Sequence, residues 1–378
     1  MVNAVSGRRR FAIRQIVLPA EPSRRWHRTW HAQTRHCQFG AASAQVLGAQ
    51  EMTRVRDFEY RDPISPLPRE AARPKWSVMI PAYNCASFLA ATLESVLAQD
   101  PGPAQMQIEV VDDCSSDDPQ RVLNEIGGNR VGFFHQPQNL GHIGNFHTCL
   151  DRAQGELVHL LHGDDAIRPG FYELLGRGFD ADPSTGAAFC RAIFIDAQGQ
   201  ELSIPPVMQS SPGRLENAAI RLALEQHIMT PSIVVRRAVY EELGAFDRRL
   251  KCSEDWEMWV RIASQFPVWY EPQALALYRM HPQSNTGRHI RSAEDMAYTR
   301  MAIDIFKTYL PTELADDVAA SARRTYALSA LETARRLFGA GDWAGCLAQM
   351  SEAFRFDPSL KTIGRMLRLV AERQDCPS

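Results

Sequence analysis

Residues 76–84 read W-S-V-M-I-P-A-Y-N, a short apolar run that breaks off into polar residues. Leu89, Leu93, Val96 and Leu97 follow at i, i+4, i+7 and i+8, the stripe of a helix buried along one face. The pattern recurs downstream. Ile108–Val111 predicts a second strand, and Asp118 before Pro119 marks the cap and first position of the next helix. Val131–His135 predicts a third strand, and Leu157–Leu161 a fourth. Between them Ile143, Phe146, Cys149, Leu150 and Ala153 form another helical stripe. Short strands alternating with helices predict an α/β domain, with a mostly parallel central sheet flanked by helices.

Outside this unit the character changes. Residues 1–50 carry eight arginines, three histidines and a single acid, Glu21. Residues 1–51 therefore read as a disordered basic segment, an organellar presequence, or a stretch ahead of an alternative start at Met52. Residues 52–74, with Pro63, Pro66, Pro68 and Pro74, read as a linker, and 75–285 as the main domain. Within that domain, 183–236 is less regular. It holds a strand-like Ala187–Ile195, a Pro/Ser-rich 204–213 and a strand at Ile233–Val235, before a helix over Glu254–Ala263. Residues 286–378 read as an all-helical extension. Ala330–Phe338, a turn at Gly339–Asp342 and the spacing of Trp343, Cys346, Leu347, Met350 and Phe354 suggest one tetratricopeptide-like hairpin. Such a hairpin packs on the main domain or serves a homodimer.

Composition narrows the classes. At 378 residues the chain has room for about two domains. Its 45% hydrophobic and 23% charged content excludes a wholly disordered protein, and a net charge of -2 argues against broad nucleic-acid binding. The eight cysteines lack the paired spacing of a structural zinc site, so free thiols in a reducing compartment are expected. No run approaches the ~18 apolar residues of a membrane span. A soluble, cytoplasmic protein with at most peripheral membrane contact is expected.

In open sheets, ligands bind beyond the carboxyl ends of the strands. Here those ends carry Pro81-Ala82-Tyr83-Asn84, Asp112-Asp113 and His162-Gly163-Asp164-Asp165. Carboxylates gathered at one edge repel one another unless a cation sits among them, and oxygen ligands suit Mg2+ or Mn2+ bridged to phosphates. Each element alone has a plainer reading. Paired aspartates often cap a helix, and a tyrosine usually packs. Gly141 to Gly144 does not match a dinucleotide fingerprint.

Taken in order, S-V-M-I-P-A-Y-N, V-V-D-D-C-S-S-D, Q-N-L-G-H-I-G-N, L-L-H-G-D-D-A-I, S-E-D-W-E-M-W-V-R and Y-R-M-H resemble glycosyltransferase family 2. The resemblance spans Trp76 to about Ser284, somewhat over half the chain. It implies a GT-A nucleotide-diphospho-sugar transferase fold. Tyr83 would stack on the donor's base beside Pro81, Ala82 and Asn84, and Asp113 would accept the ring NH, a pair that selects a pyrimidine. Asp165 would ligate the metal, Asp164 would contact ribose or sugar, and Gly163 would let the backbone approach the donor. His162 departs from the family's pattern and receives no role.

Asn145 would position the donor, with capping or packing an equal alternative. Asp255 would be the general base beside Glu254, and His281 would approach the metal or diphosphate, or be a surface histidine. The implied reaction inverts the anomeric centre. The Q-x-x-R-W motif and membrane helices of processive synthases are missing from the sequence, so single transfers are expected. Acceptor contacts would come from 195–232 and the C-terminal region, to a glycan, a lipid-linked oligosaccharide or a protein. A nucleotide-sugar pyrophosphorylase or phosphohydrolase, or a catalytically silent nucleotide-sugar-binding scaffold, is the alternative.

Overall fold

The structure, a computed structural model, describes residues 55–56, 58–68, 72–281 and 289–371. The basic segment 1–51 lies outside the described residues. The first strands and helices are β1 (Trp76–Ala82), α1 (Ala86–Leu97), β2 (Met106–Asp112), α2 (Pro119–Ile126), β3 (Gly132–His135), α3 (Gly141–Arg152) and β4 (Leu157–Leu160). β1 runs parallel to both β2 and β4, and β2 parallel to β3. Every residue of β1 is buried, as a central strand covered on both faces must be. Its side chains alternate between the faces. Val78 and Ile80 pack with Leu89, Leu93 and Val96 of α1, whereas Met79 packs with Phe146, Cys149 and Leu150 of α3. Asp118 caps α2 by accepting from the Arg121 N–H, with Pro119 at the first turn.

The second half begins with β5 (Ala166–Ile167), α4 (Phe171–Ala181), β6 (Ala187–Ile195), β7 (Glu201–Ser203), β8 (Gly213–Arg214) and α5 (Ala218–Leu224). β9 (Ile233–Arg236), α6 (Arg237–Leu243), α7 (Glu254–Gln265) and β10 (Val268–Arg279) complete it. The sheet order is β3-β2-β1-β4-β9-β6-β10-β5. Here the sheet turns mixed: β9 is antiparallel to both β4 and β6, and β5 is antiparallel to β10. The twelve-residue β10 escapes a periodicity reading because its ladder shifts register around Pro272 and Gln273, between Glu271 and Ala276.

Four helices close the chain: α8 (Glu294–Phe306), α9 (Thr312–Gly339), α10 (Trp343–Phe356) and α11 (Leu360–Ala371). Ile303, Phe306, Val318 and Ala322 join the same core as Trp256 and Trp259 of α7. Only the second half of α9, with α10 and α11, has a core of its own, built from Ala334, Leu337, Met350, Ala353 and Leu369. The helical extension is thus rooted in the main domain.

The stretch read as a linker is also packed. Ile64 is buried in the main core, and the buried Arg61 guanidinium donates to the Val55 carbonyl and the Tyr309 hydroxyl near Asp247. A buried cation needs such partners, and they hold this extended segment in place. No helix among the described residues is long and apolar enough to cross a membrane.

Candidate active site

The polar ends of β1, β2 and β4 meet through hydrogen bonds of their own loops. Asn84, at φ 50°, accepts from the Ser116 N–H at 2.9 Å, and its own N–H donates to Ser115 Oγ at 2.9 Å. That joins the loop after β1 to the loop after β2. Tyr83 stays 45% exposed at the rim, the state a stacking platform needs. Pro81 and Ala82 are buried and act through their backbones, whose carbonyls accept from the Gly163 and Asp113 N–H groups. Gly163 has a packing reason: a Cβ there would fall 2.7 Å from Cys85 Sγ. This close approach is to the loop after β1.

Asp113 is buried, and its Oδ1 accepts the Leu140 N–H at 2.7 Å, just ahead of α3. Burial raises its pKa, opposed by the Leu140 and Gly141 N–H groups. Asn145, one turn into α3, donates to the Val111 carbonyl at 2.8 Å and lies 3.4 Å from the Gln136 amide. Both ends of its amide are engaged by protein, so it fixes α3 against β2.

After β4 the chain turns sharply, and Thr92 Oγ1 holds that turn by donating to the carbonyls of Gly163 and Asp165. Asp165 is buried; its Oδ1 accepts the Arg279 N–H at 2.7 Å, while its Oδ2 has no hydrogen-bond partner. Asp164 is partly exposed, and its Oδ2 lies 2.9 Å from His281 Nε2. His281 therefore meets the acid that the sequence reading gave to the sugar. Burial and the charge of Asp164 push Asp165 well above the usual carboxylate range. Against burial, the His281 bond and the nearby His162 hold Asp164 below it.

His162, given no role from the sequence, belongs to this cluster. Ligand atoms of His162, Asp164 and Asp165 all lie within 4.8 Å of one another. Burial lowers the His162 pKa, which keeps the imidazole neutral and able to ligate, and its Nε2 is buried without a hydrogen-bond partner. Asp165 Oδ2, 3.5 Å from His162 Nδ1, beside the His281–Asp164 pair makes a donor set that fits a divalent cation.

A second acidic pair opens α7. Glu254 is buried with its Oε1 3.3 Å from His142 Nε2 on the first turn of α3. Against burial, each partner favours the other's charge, so Glu254 is held down and His142 up. Asp255 Oδ1 accepts its neighbour Trp256's N–H, and its Oδ2 accepts from Gln226 Nε2 at 2.8 Å and Thr230 Oγ1 at 3.3 Å. Burial, then the Glu254 charge, raises Asp255 to about 7. Gln226 in turn donates its N–H to the Tyr326 hydroxyl of α9, so the extension supports this side.

The two acidic pairs are joined through α3. Phe146 stacks on His162 with centroids 5.2 Å apart and meets His142 edge-on at 5.7 Å. One short path thus leads from Asp164 and Asp165 through His162, Phe146 and His142 to Glu254 and Asp255.

Comparisons with known proteins bear on the family and the fold. The model of Glycosyl transferase family 2 matches residues 77–244. An uncharacterized protein of Mycobacterium tuberculosis is 30% identical over 230 residues, 57% of this chain and 70% of the relative. The succinoglycan biosynthesis protein ExoO of Rhizobium meliloti is 25% identical over 194 residues, 48% of this chain and 54% of the relative. In fold, the chain is similar to S. aureus TarS 1-349, solved in complex with UDP-GlcNAc. The TM-score is 0.56 at 16% identity, covering 79% of this chain and 80% of that one. The chain belongs to glycosyltransferase family 2. It is a nucleotide-sugar glycosyltransferase of GT-A fold with a helical extension.

Proposed function

We propose that the chain carries out metal-dependent, inverting transfer of one sugar from a UDP-type or dTDP-type donor to a hydroxyl of a glycan or lipid-linked acceptor. One observation carries the reading: α3 ties the carboxylate–histidine cluster after β4 to the acidic pair at the start of α7. A site that grips a charged donor and one that receives a proton then lie side by side.

Asp164 and His281, with Asp165 and His162, would hold the cation, which offsets the diphosphate's charge when bound. Tyr83 would offer its exposed ring to the base, and Asp113, whose N–H is bonded to the Ala82 carbonyl, would supply the acceptor for a pyrimidine ring NH. Asp255 takes the acceptor hydroxyl's proton. The freed oxygen forms its bond to the anomeric carbon from the face opposite the diphosphate, whose bond to that carbon breaks, and the configuration inverts. A carboxylate raised to about 7 is a stronger base than an ordinary aspartate and is still ionised just above neutrality. The kinship to a protein named for succinoglycan biosynthesis makes a bacterial polysaccharide the first acceptor class to test.

A thermal-shift screen of nucleotide sugars, with and without manganese, tests the donor. A uridine or thymidine diphosphate sugar should raise Tm only when manganese is present. Stabilisation by a purine donor alone would overturn the Tyr83–Asp113 assignment. Steady release of sugar phosphate and nucleoside monophosphate without acceptor would favour a phosphohydrolase.

A further inference from the structure

The surface of the helical extension does not look like that of the catalytic layer. Six of the thirteen large apolar side chains exposed among the described residues lie between 343 and 370. On α11, Leu360 is 87% and Leu367 65% exposed; seven residues apart, they share one face of the helix. Val370 stands beside them, while on the opposite face Thr362 and Leu369 are buried, Leu369 in the core shared with α9 and α10. On α10, Leu347 and Phe354 repeat the seven-residue spacing and are exposed too.

The charges of this region are one-sided. α11 holds Lys361, Arg365 and Arg368 and no acid. Of the two acids between 343 and 371, one is buried and the other half-buried. Glu352 is buried against Arg300 and Arg355, and Asp357 accepts from Ser359 and Thr362. The exposed charged groups, Arg355, Lys361 and Arg368, are all cationic. An exposed leucine row flanked by cations is the pattern of a helix lying in the plane of a bilayer surface: apolar side chains enter the acyl boundary while cations meet anionic headgroups.

We propose that the exposed face of α11 is a docking surface for an anionic phospholipid bilayer. Charge complementarity selects this occupant, because a second copy of the chain would set the same cations against each other. Docking would hold the catalytic layer close to a membrane-borne acceptor without any spanning helix. The inference stands on the surface of the extension alone and does not depend on the assignment of donor or base.

Cosedimentation of the full chain with vesicles is the test. Binding is expected to phosphatidylcholine vesicles containing phosphatidylglycerol, not to phosphatidylcholine alone, with release at high salt. Lys361→Gln with Arg368→Gln should weaken binding about 25-fold, at roughly fivefold per cation. Leu360→Ser with Leu367→Ser should weaken it by about tenfold or more. All four side chains are exposed, so circular dichroism should remain that of the wild type. Failure of the wild type to bind, equal binding to neutral vesicles, or undiminished binding by both variants would overturn the proposal. So would a dimer in sedimentation velocity that Leu367→Glu dissociates, since a second copy would then cover this face.

Discussion

Asp164-Asp165 and Glu254-Asp255 are alike in sequence, each an acidic pair near the end or start of a regular element. They are also alike in outline: in each, the first acid is held ionised by a histidine, at 2.9 and 3.3 Å, and the second is pushed up by burial and by its neighbour's charge. The difference lies in what surrounds the second acid. Asp165 is locked to the backbone of β10 and faces a second imidazole, an environment suited to holding a cation. Asp255 faces the amide of Gln226 and the hydroxyl of Thr230, which keep a titrating carboxylate oriented. On the proposed reading, the same dipeptide chemistry serves as a grip in one place and a base in the other because different elements pack against it.

Substitutions separate the two. Asp255→Asn should lower the transfer rate by ~100 to 10,000-fold, the contribution of a positioned base, read in a coupled nucleotide-release assay. Asp164→Asn should weaken manganese-dependent donor binding by about 10 to 100-fold in calorimetry, the scale seen when a metal site is disturbed. Asp165→Asn keeps an acceptor for the Arg279 N–H but removes the carboxylate charge facing His162, and should weaken the same binding by a similar factor; unchanged manganese-dependent affinity would take Asp165 out of the cation site.

pH sharpens the contrast. Asp255 must be ionised to accept a proton, and its pKa is raised to about 7. Activity is therefore present above that value and falls about tenfold per unit below it in a kcat/KM profile. An acid limb near the ordinary aspartate value would remove the raised base. The smallest effect concerns His142. Its positive charge offsets Glu254, whose negative charge helps raise Asp255. His142→Gln should shift the acid limb upward, with a rate loss of a few-fold near neutrality that disappears at higher pH. An unmoved limb would make His142 a packing residue only.

The parallel half of the fold was legible because each strand and helix there carries its own local pattern, from Trp76 to Leu161. β10 was not, because a bulge at Pro272 and Gln273 interrupts its alternation. Among the site residues, Tyr83, Asp113 and the two acidic pairs could be found at strand ends and a helix start. His162, His142, Gln226 and Thr230 could not. Gln226 and Thr230 lie in an irregular stretch 25 or more residues before Asp255, and only the packing of α5 on α7 brings them together. His142 sits inside a helical stripe where nothing local distinguishes it from a surface residue. The role of Tyr326 was hidden for a similar reason, since its hydroxyl reaches Gln226 from across the core.

The division of labour between grip and base is tested most directly by donor calorimetry on Asp255→Asn with manganese, with transfer measured on the same preparation. The account predicts donor affinity within about twofold of the wild type and transfer close to background. Donor binding that vanishes along with transfer would put Asp255 in the grip, and transfer at the wild-type rate would leave the reaction without the base assigned to it.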